Sequence, residues 1–307
     1  MKLFSKILFL SLSFLIASPC MMADDTTPAP TNEPKVEYVV VNATIAPLRE
    51  DPSEAAEQAT QLLFGEVCEV LDRLPRWTKI RSTLDGQEGW VDFKMLSSID
   101  NLSSTMSLPA TAVAVPTAIA TDMETGDELM LTLGTRLPNY AHGTFEVLNR
   151  KYLINPTCVN TNYLQPEGQS TDEANLLRSD LVTIAQSLLN APYLWGGKNA
   201  MGIDCSGFTQ VVYSVFGVNL LRNAREQITQ GELVSSLAEA QPGDLAFFDH
   251  ADRDPKATNI SHVGILIDSK TIIHCSGCVH VDDIDEMGIH LSDGELTHHL
   301  VQVKRYL

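Results

Sequence analysis

Positive charge is what this sequence has least of. Its 307 residues carry 21 Lys and Arg against 39 Asp and Glu, a formal net charge of −18. Such a surface repels nucleic acid and anionic headgroups, so neither is expected as a partner; a substrate that offers a free amine is compatible with it. Long apolar runs are also missing. Beyond the first residues no segment is long and apolar enough to cross a bilayer, so the mature chain is expected to have no membrane span. Cysteine is sparse, at six residues. The hydrophobic content of 44% is ordinary and argues against global disorder.

What is present begins with an export pattern. Lys2 and Lys6 flank the start of an apolar run from Ile7 to Ala17, broken only by Ser11 and Ser13. That length fits a signal h-region, with cleavage expected after Ala23. Residues 1–23 therefore read as a signal peptide, and the chain as exported, periplasmic or in the cell envelope. Cys20 offers a lipid anchor as the lesser alternative, because Pro19 before it disfavours that processing. Cleavage removes two lysines and no acids, making the mature chain more acidic still. It leaves Cys68, Cys158, Cys205, Cys275 and Cys278, and an odd count in an exported protein implies at least one unpaired thiol.

The length suits two or three domains. Residues 24–36, rich in Pro, Thr and Asp, form a linker. From 37 to 98 short β-rich runs alternate with turn signals such as Asp85-Gly86, which predicts a small barrel. The runs LLFGEVCEVL, RWTKIR and DGQEGWV resemble the bacterial SH3-like module. Residues 99–165 are similar to a second, diverged copy, with an irregular extension of the first barrel as the alternative. Ser170 and Glu173 have capping-box spacing. Ala174, Leu177, Leu181, Ile184, Ala185 and Leu188 then recur at helical intervals until Pro192. The third domain spans 172–307.

That domain holds the chemistry-bearing segments YLWGG (Tyr193 to Gly197), DCSGF (Asp204 to Phe208), SHVGI (Ser261 to Ile265) and IIHCSG (Ile272 to Gly277). Phe208, Val211, Val212, Val215 and Phe216 form an apolar stripe, which makes Asp204 an N-cap and puts Cys205 in the first helical turn. Unpaired N–H groups and the helix dipole favour a thiolate there. A buried, inert cysteine beside an ordinary cap is the competing reading. Ile260 to Ile267 alternates as a strand, and Asp268-Ser-Lys270 reads as a three-residue turn. In that register 264 pairs with 274, and His262 and His274 share one face as diagonal neighbours. A turn one residue longer or shorter separates them.

Taken together, these segments resemble the NlpC/P60 family of papain-like cell-wall peptidases, from about Asp172 to Tyr306. The Pro242-Gly-Asp244 run fits the same pattern. The resemblance implies an α+β papain-like domain, with Cys205 as nucleophile, His262 as general base and His274 orienting it. The coupling to SH3-like modules is similar to the subgroup of γ-D-glutamyl–diamino-acid endopeptidases acting on peptides with a free N-terminal L-alanine. That implies Tyr193, Trp195, Asp204 and Ser206 as substrate-binding residues, with Asp204 on the amine and Glu54 as a second acid from the first module. The implied partners are peptidoglycan stem peptides or muropeptides. The chain departs from the subgroup where Arg222-Asn-Ala224 ends in Ala rather than Ser, and where Gln87 replaces an aromatic. No cofactor or metal is expected, although His274, Cys275, Cys278 and His280 invite a metal-site reading. Cys275 and Cys278 are read as either a local disulfide or free thiols. The competing functions are a non-catalytic wall-binding protein, an amidase of other bond specificity, and an acyltransferase, for which no apolar acyl channel is evident.

Overall fold

Between Tyr38 and Ile99 the short β-rich runs pair into one seven-stranded antiparallel sheet. Its order is Gln58–Leu63, Ile45–Arg49, Glu88–Asp92, Trp77–Ser82, Val67–Arg73, Tyr38–Val41 and Leu96–Ile99. Alternating side chains put Val39, Val41, Leu48, Leu62, Cys68, Ile80 and Val91 into a common core. The computed structural model describes residues 36–99, 111–161, 171–250, 259–291 and 293–307. The expected signal segment with Cys20 and Ala23, the linker up to residue 35, Ser170 of the capping box, and 251–258 lie outside the described residues.

A four-stranded sheet follows, in the order Glu128–Thr132, Thr117–Asp122, Arg150–Ile154 and Thr144–Val147. A short pair, Ala112–Val113 with Val159–Asn160, accompanies it. Its core of Leu131, Leu137, Phe145, Tyr152 and Ile154 also takes in Val40 and Val67 of the first sheet and Phe64 of the turn between two of its strands. The two β units thus share apolar side chains.

Helix α1, Thr171–Gln186, opens the last region and buries Leu177, Leu181 and Ala185. It stops before the expected Pro192. The chain tightens at Leu188 and Leu189, whose N–H groups donate to Ala185 and Gln186, and Asn190 takes a φ of 68°. The Asn190 N–H is drawn to Val279 O on the sheet, so a tertiary contact sets the end that a proline alone did not. Helix α2, Cys205–Ser214, lies against α1 and a second seven-stranded sheet. That sheet runs Glu232–Val234, Leu296–Arg305, Leu245–His250, His262–Leu266, Thr271–Ser276, Cys278–Asp285 and Gly288–His290. The last of these also pairs with Leu296–Arg305, so the sheet closes on itself. The architecture is α+β, a strand-rich chain with few helices.

Candidate active site

Asp204 is the N-cap of α2, and its Oδ1 accepts from Gly207 N at 2.6 Å. The cap places Cys205 at the first helical position, where backbone N–H groups have no partner within the helix. The helix start faces the strand His262–Leu266. The backbone N–H groups of Val263 and Ser206 lie close enough to the Cys205 sulfur to favour its charged form. Cys205 and His262 line the same cleft, of about 570 Å³, together with Tyr193, Trp195, Asp204, Ser206, Ala224, Ser261, Cys275 and His298. Cys205 is 8% exposed and His262 5%, so both are enclosed yet border open space.

The hairpin carrying the histidines has the register expected from its turn. Gly264 pairs with His274 and Ile265 with Ile273, and Ile267 N donates to Thr271 O. His262 Nε2 and His274 Nδ1 are 2.8 Å apart. Gly264 is required by this closeness, since a Cβ there would lie 2.8 Å from the Cβ of His274 and 2.7 Å from Ile272 Cδ1. On its far side His274 Nε2 meets Asp282 Oδ2 at 3.0 Å, and burial lowers the His274 pKa, which keeps the ring neutral. His298 stacks on His262 with ring centroids 4.4 Å apart. His280, Asp282 and His298 had no motif to mark them. The available signal was the tight Ser276-Gly277-Cys278 turn, which sets His280 opposite His274 and Asp282 two residues further on the same face.

Two opposing influences act on the sulfur. Burial pushes the Cys205 thiol up to about 12, and the nearby Asp204 carboxylate adds to this; Arg222 and the two backbone N–H groups pull the other way. Desolvation therefore outweighs the local donors and favours the protonated sulfur, against the thiolate that the helix start alone favours. Tyr193 is likewise raised by burial and by the neighbouring Cys205, so its hydroxyl keeps its proton and can donate.

Asp204 is more heavily engaged than a receptor for an amine alone requires. Its two oxygens contact Gly196 N, Ser206 Oγ, Gly207 N, and Nη1 and Nη2 of Arg222, the last at 2.6 Å. Arg222 also donates from Nε to Thr60 Oγ1 of the first sheet. Tyr193, Trp195 and Ser206 lie in the cleft with Asp204. Glu54 is not among the residues lining it; its side chain is 66% exposed and pairs with Arg49 at 3.5 Å. Of the two departures, Ala224 lines the cleft, and Gln87 Nε2 donates to Glu226 Oε2 at 3.4 Å.

Cys275 and Cys278 are both free thiols. Cys275 Sγ points to Ile203 O at 3.2 Å. Among the described residues, the side chains clustered closely enough to approach a metal ion are His274, His280 and Asp282, with donor atoms within 4.8 Å. The cysteines are not part of that group. Hydrogen bonds at 3.0 Å already join each histidine to the carboxylate.

A cysteine at a helix start, set against a histidine on an antiparallel sheet, defines the papain-like class. Residues 190–303 match the NlpC/P60 family, and residues 48–96 match the bacterial dipeptidyl-peptidase Sh3 domain. The chain thus carries an NlpC/P60 domain behind a bacterial SH3 domain, and its class is that of the cell-wall peptidases. It is 27% identical to a γ-D-glutamyl-L-lysine dipeptidyl-peptidase of Bacillus cereus, over 72% of this chain and 68% of that protein. A protein of the same name from Bacillus subtilis is 27% identical over 70% and 71% of the two chains. A probable endopeptidase p60 of Listeria seeligeri matches 94 residues at 38% identity, 31% of this chain and 17% of that one. In fold, the chain is similar to a solved NlpC/P60 family protein of Bacillus cereus, with a TM-score of 0.71 and 22% identity over 88% of this chain and 99% of that one.

Proposed function

We propose that the protein is an exported cysteine endopeptidase that cleaves the γ-D-glutamyl–diamino acid bond of peptidoglycan stem peptides. Cys205 is the nucleophile. Its proton passes to His262 as the sulfur attacks the amide carbon, and the tetrahedral oxyanion faces the N–H groups at the start of α2 and the Tyr193 hydroxyl. Collapse releases the diamino acid amine, protonated by His262, and leaves a γ-glutamyl thioester. Water, deprotonated by His262, then hydrolyses it. His274 holds the base in orientation. The observation that carries this reading is that Cys205 and His262, both buried, line one cleft, with His274 Nδ1 2.8 Å from the base.

The preferred substrates are short peptides with a free N-terminal L-alanine, and the support is steric. The strand Gln58–Leu63 of the SH3 domain walls the cleft: Ala59 lines it, and Gln58 Nε2 donates to Trp195 O at 3.1 Å. Tyr193, Trp195, Asp204 and Ser206 form the substrate surface. Because Arg222 neutralises Asp204, the wall contributes more than a lone carboxylate to reading the peptide's end. We take 37–98 and 99–165 as the β modules and 172–307 as the catalytic domain.

The test incubates the mature protein and Cys205→Ala with L-Ala-γ-D-Glu-diaminopimelate, its N-acetylated form, and intact sacculi, with products read by mass spectrometry. Cleavage of the free tripeptide at the γ-glutamyl bond by the native chain alone is expected. Turnover by Cys205→Ala would overturn the mechanism, and a preference for the acetylated peptide or sacculi would overturn the specificity.

A further inference from the structure

The carboxylate behind His274 has its own partner, and the proton arithmetic of the group is restrictive. His280 Nδ1 is 2.8 Å from Cys278 O, which can only accept, so Nδ1 carries a proton. His280 Nε2 is 3.0 Å from Asp282 Oδ2, and that carboxylate oxygen also only accepts. Both contacts are satisfied together when His280 is protonated on both nitrogens and forms an ion pair with Asp282. The two histidines hold the Asp282 pKa below the ordinary carboxylate range, consistent with a permanent anion. The anion takes its second bond from His274 Nε2 at 3.0 Å, which puts the single proton of neutral His274 on Nε2. His274 Nδ1 is then a lone pair and must accept from His262 Nε2, 2.8 Å away. In a neutral His262 ring Nδ1 is then unprotonated, the state a base requires.

We infer that Asp282, clamped by His280, is a positioning residue that sets the tautomer of His262 through His274. The inference rests on the proposed roles of Cys205 and His262, and goes beyond them by placing the origin of the base's protonation pattern two side chains away. Strand geometry supports it. His280 lies directly opposite His274, and Asp282 follows on the same face, so the three groups are fixed by one register. The arrangement is partly screened, with the His274 side chain 1% exposed and Asp282 18%. An Asn at 282 would present an amide N–H₂ to one of the two rings. Turned toward His274 Nε2, that donor moves the ring proton to Nδ1, and His262 must then carry its own proton on Nδ1, where it cannot act as a base.

The experiment uses ¹⁵N-histidine-labelled mature protein with Asp282→Asn, His280→Ala and His280→Gln variants. In the native protein, nitrogen shifts should show His262 protonated on Nε2. In Asp282→Asn, kcat on the tripeptide should fall about 10–100-fold with KM little changed, and alkylation of Cys205 by iodoacetamide should slow in parallel. His280→Ala should lower kcat, and His280→Gln, which keeps a donor for the carboxylate, should recover part of the loss. A native His262 protonated on Nδ1 would sink the inference whether or not any variant folds. A folded Asp282→Asn with native kcat and native tautomers would do the same. Failure of the native protein to cut the peptide would refute the proposed function alone, since nitrogen shifts and alkylation are read without substrate.

Discussion

At the scale of single residues, the site turns on one buried ion pair and one buried thiol. Arg222 and Asp204 are almost wholly enclosed and meet through two hydrogen bonds. Removing the guanidinium strands a carboxylate beside the nucleophile. Arg222→Ala should therefore cost about 3–5 kcal/mol of stability, seen as a lower urea midpoint. For Cys205 the sign of the pH effect follows from its raised pKa. A group whose protonated form is favoured gains reactivity as pH rises. Alkylation of the free protein should climb through and beyond the neutral range. A plateau already reached below the ordinary imidazole pKa of about 6.5 would instead reveal a preformed thiolate–imidazolium pair.

At the scale of elements, the decisive object is the hairpin joining His262–Leu266 to Thr271–Ser276. Its register was legible because Asp268 closes the turn, with Oδ1 accepting from Lys270 N at 2.7 Å and Thr271 N at 2.9 Å. Inserting one residue between Asp268 and Lys270 should put the two imidazoles on opposite faces and abolish turnover, with the fold checked by circular dichroism. Gly264→Ala is the milder probe. Its methyl would press on His274 and Ile272, and a displaced orienting ring should lower kcat by about 10- to 100-fold in steady-state kinetics. The same periodicity could have revealed Asp282 and His280. Those residues carry no recognisable motif, and only the pairing of their strand with Thr271–Ser276 gives them His274 as a partner.

At the scale of the whole molecule, the SH3 domain helps to build the catalytic one. Gln61 Oε1 accepts from Lys198 N and from Asn199 Nδ2, both at 2.8 Å, and Lys198 Nζ pairs with the buried Glu66 at 3.1 Å. Gln210 reaches Asp85 at 3.0 Å. Cutting one of these bonds leaves enclosed donors without partners. Gln61→Ala should destabilise the chain by about 1–3 kcal/mol and raise amide exchange at Lys198 and Asn199, measured by urea titration and hydrogen exchange.

Sequence alone determined the local features: the cap that starts α2 at Cys205, the alternation that makes 260–267 a strand, and the turn that brings His262 beside His274. Each depends on residues a few positions apart, where backbone periodicity and turn chemistry leave few options. Only the tertiary structure decided that Arg222 neutralises Asp204 and takes Thr60 from 162 positions away, that Glu54 stays at the surface, and that burial raises the Cys205 pKa. Charge pairing and desolvation depend on what the folded chain packs around a group, and the linear order of residues does not contain that environment.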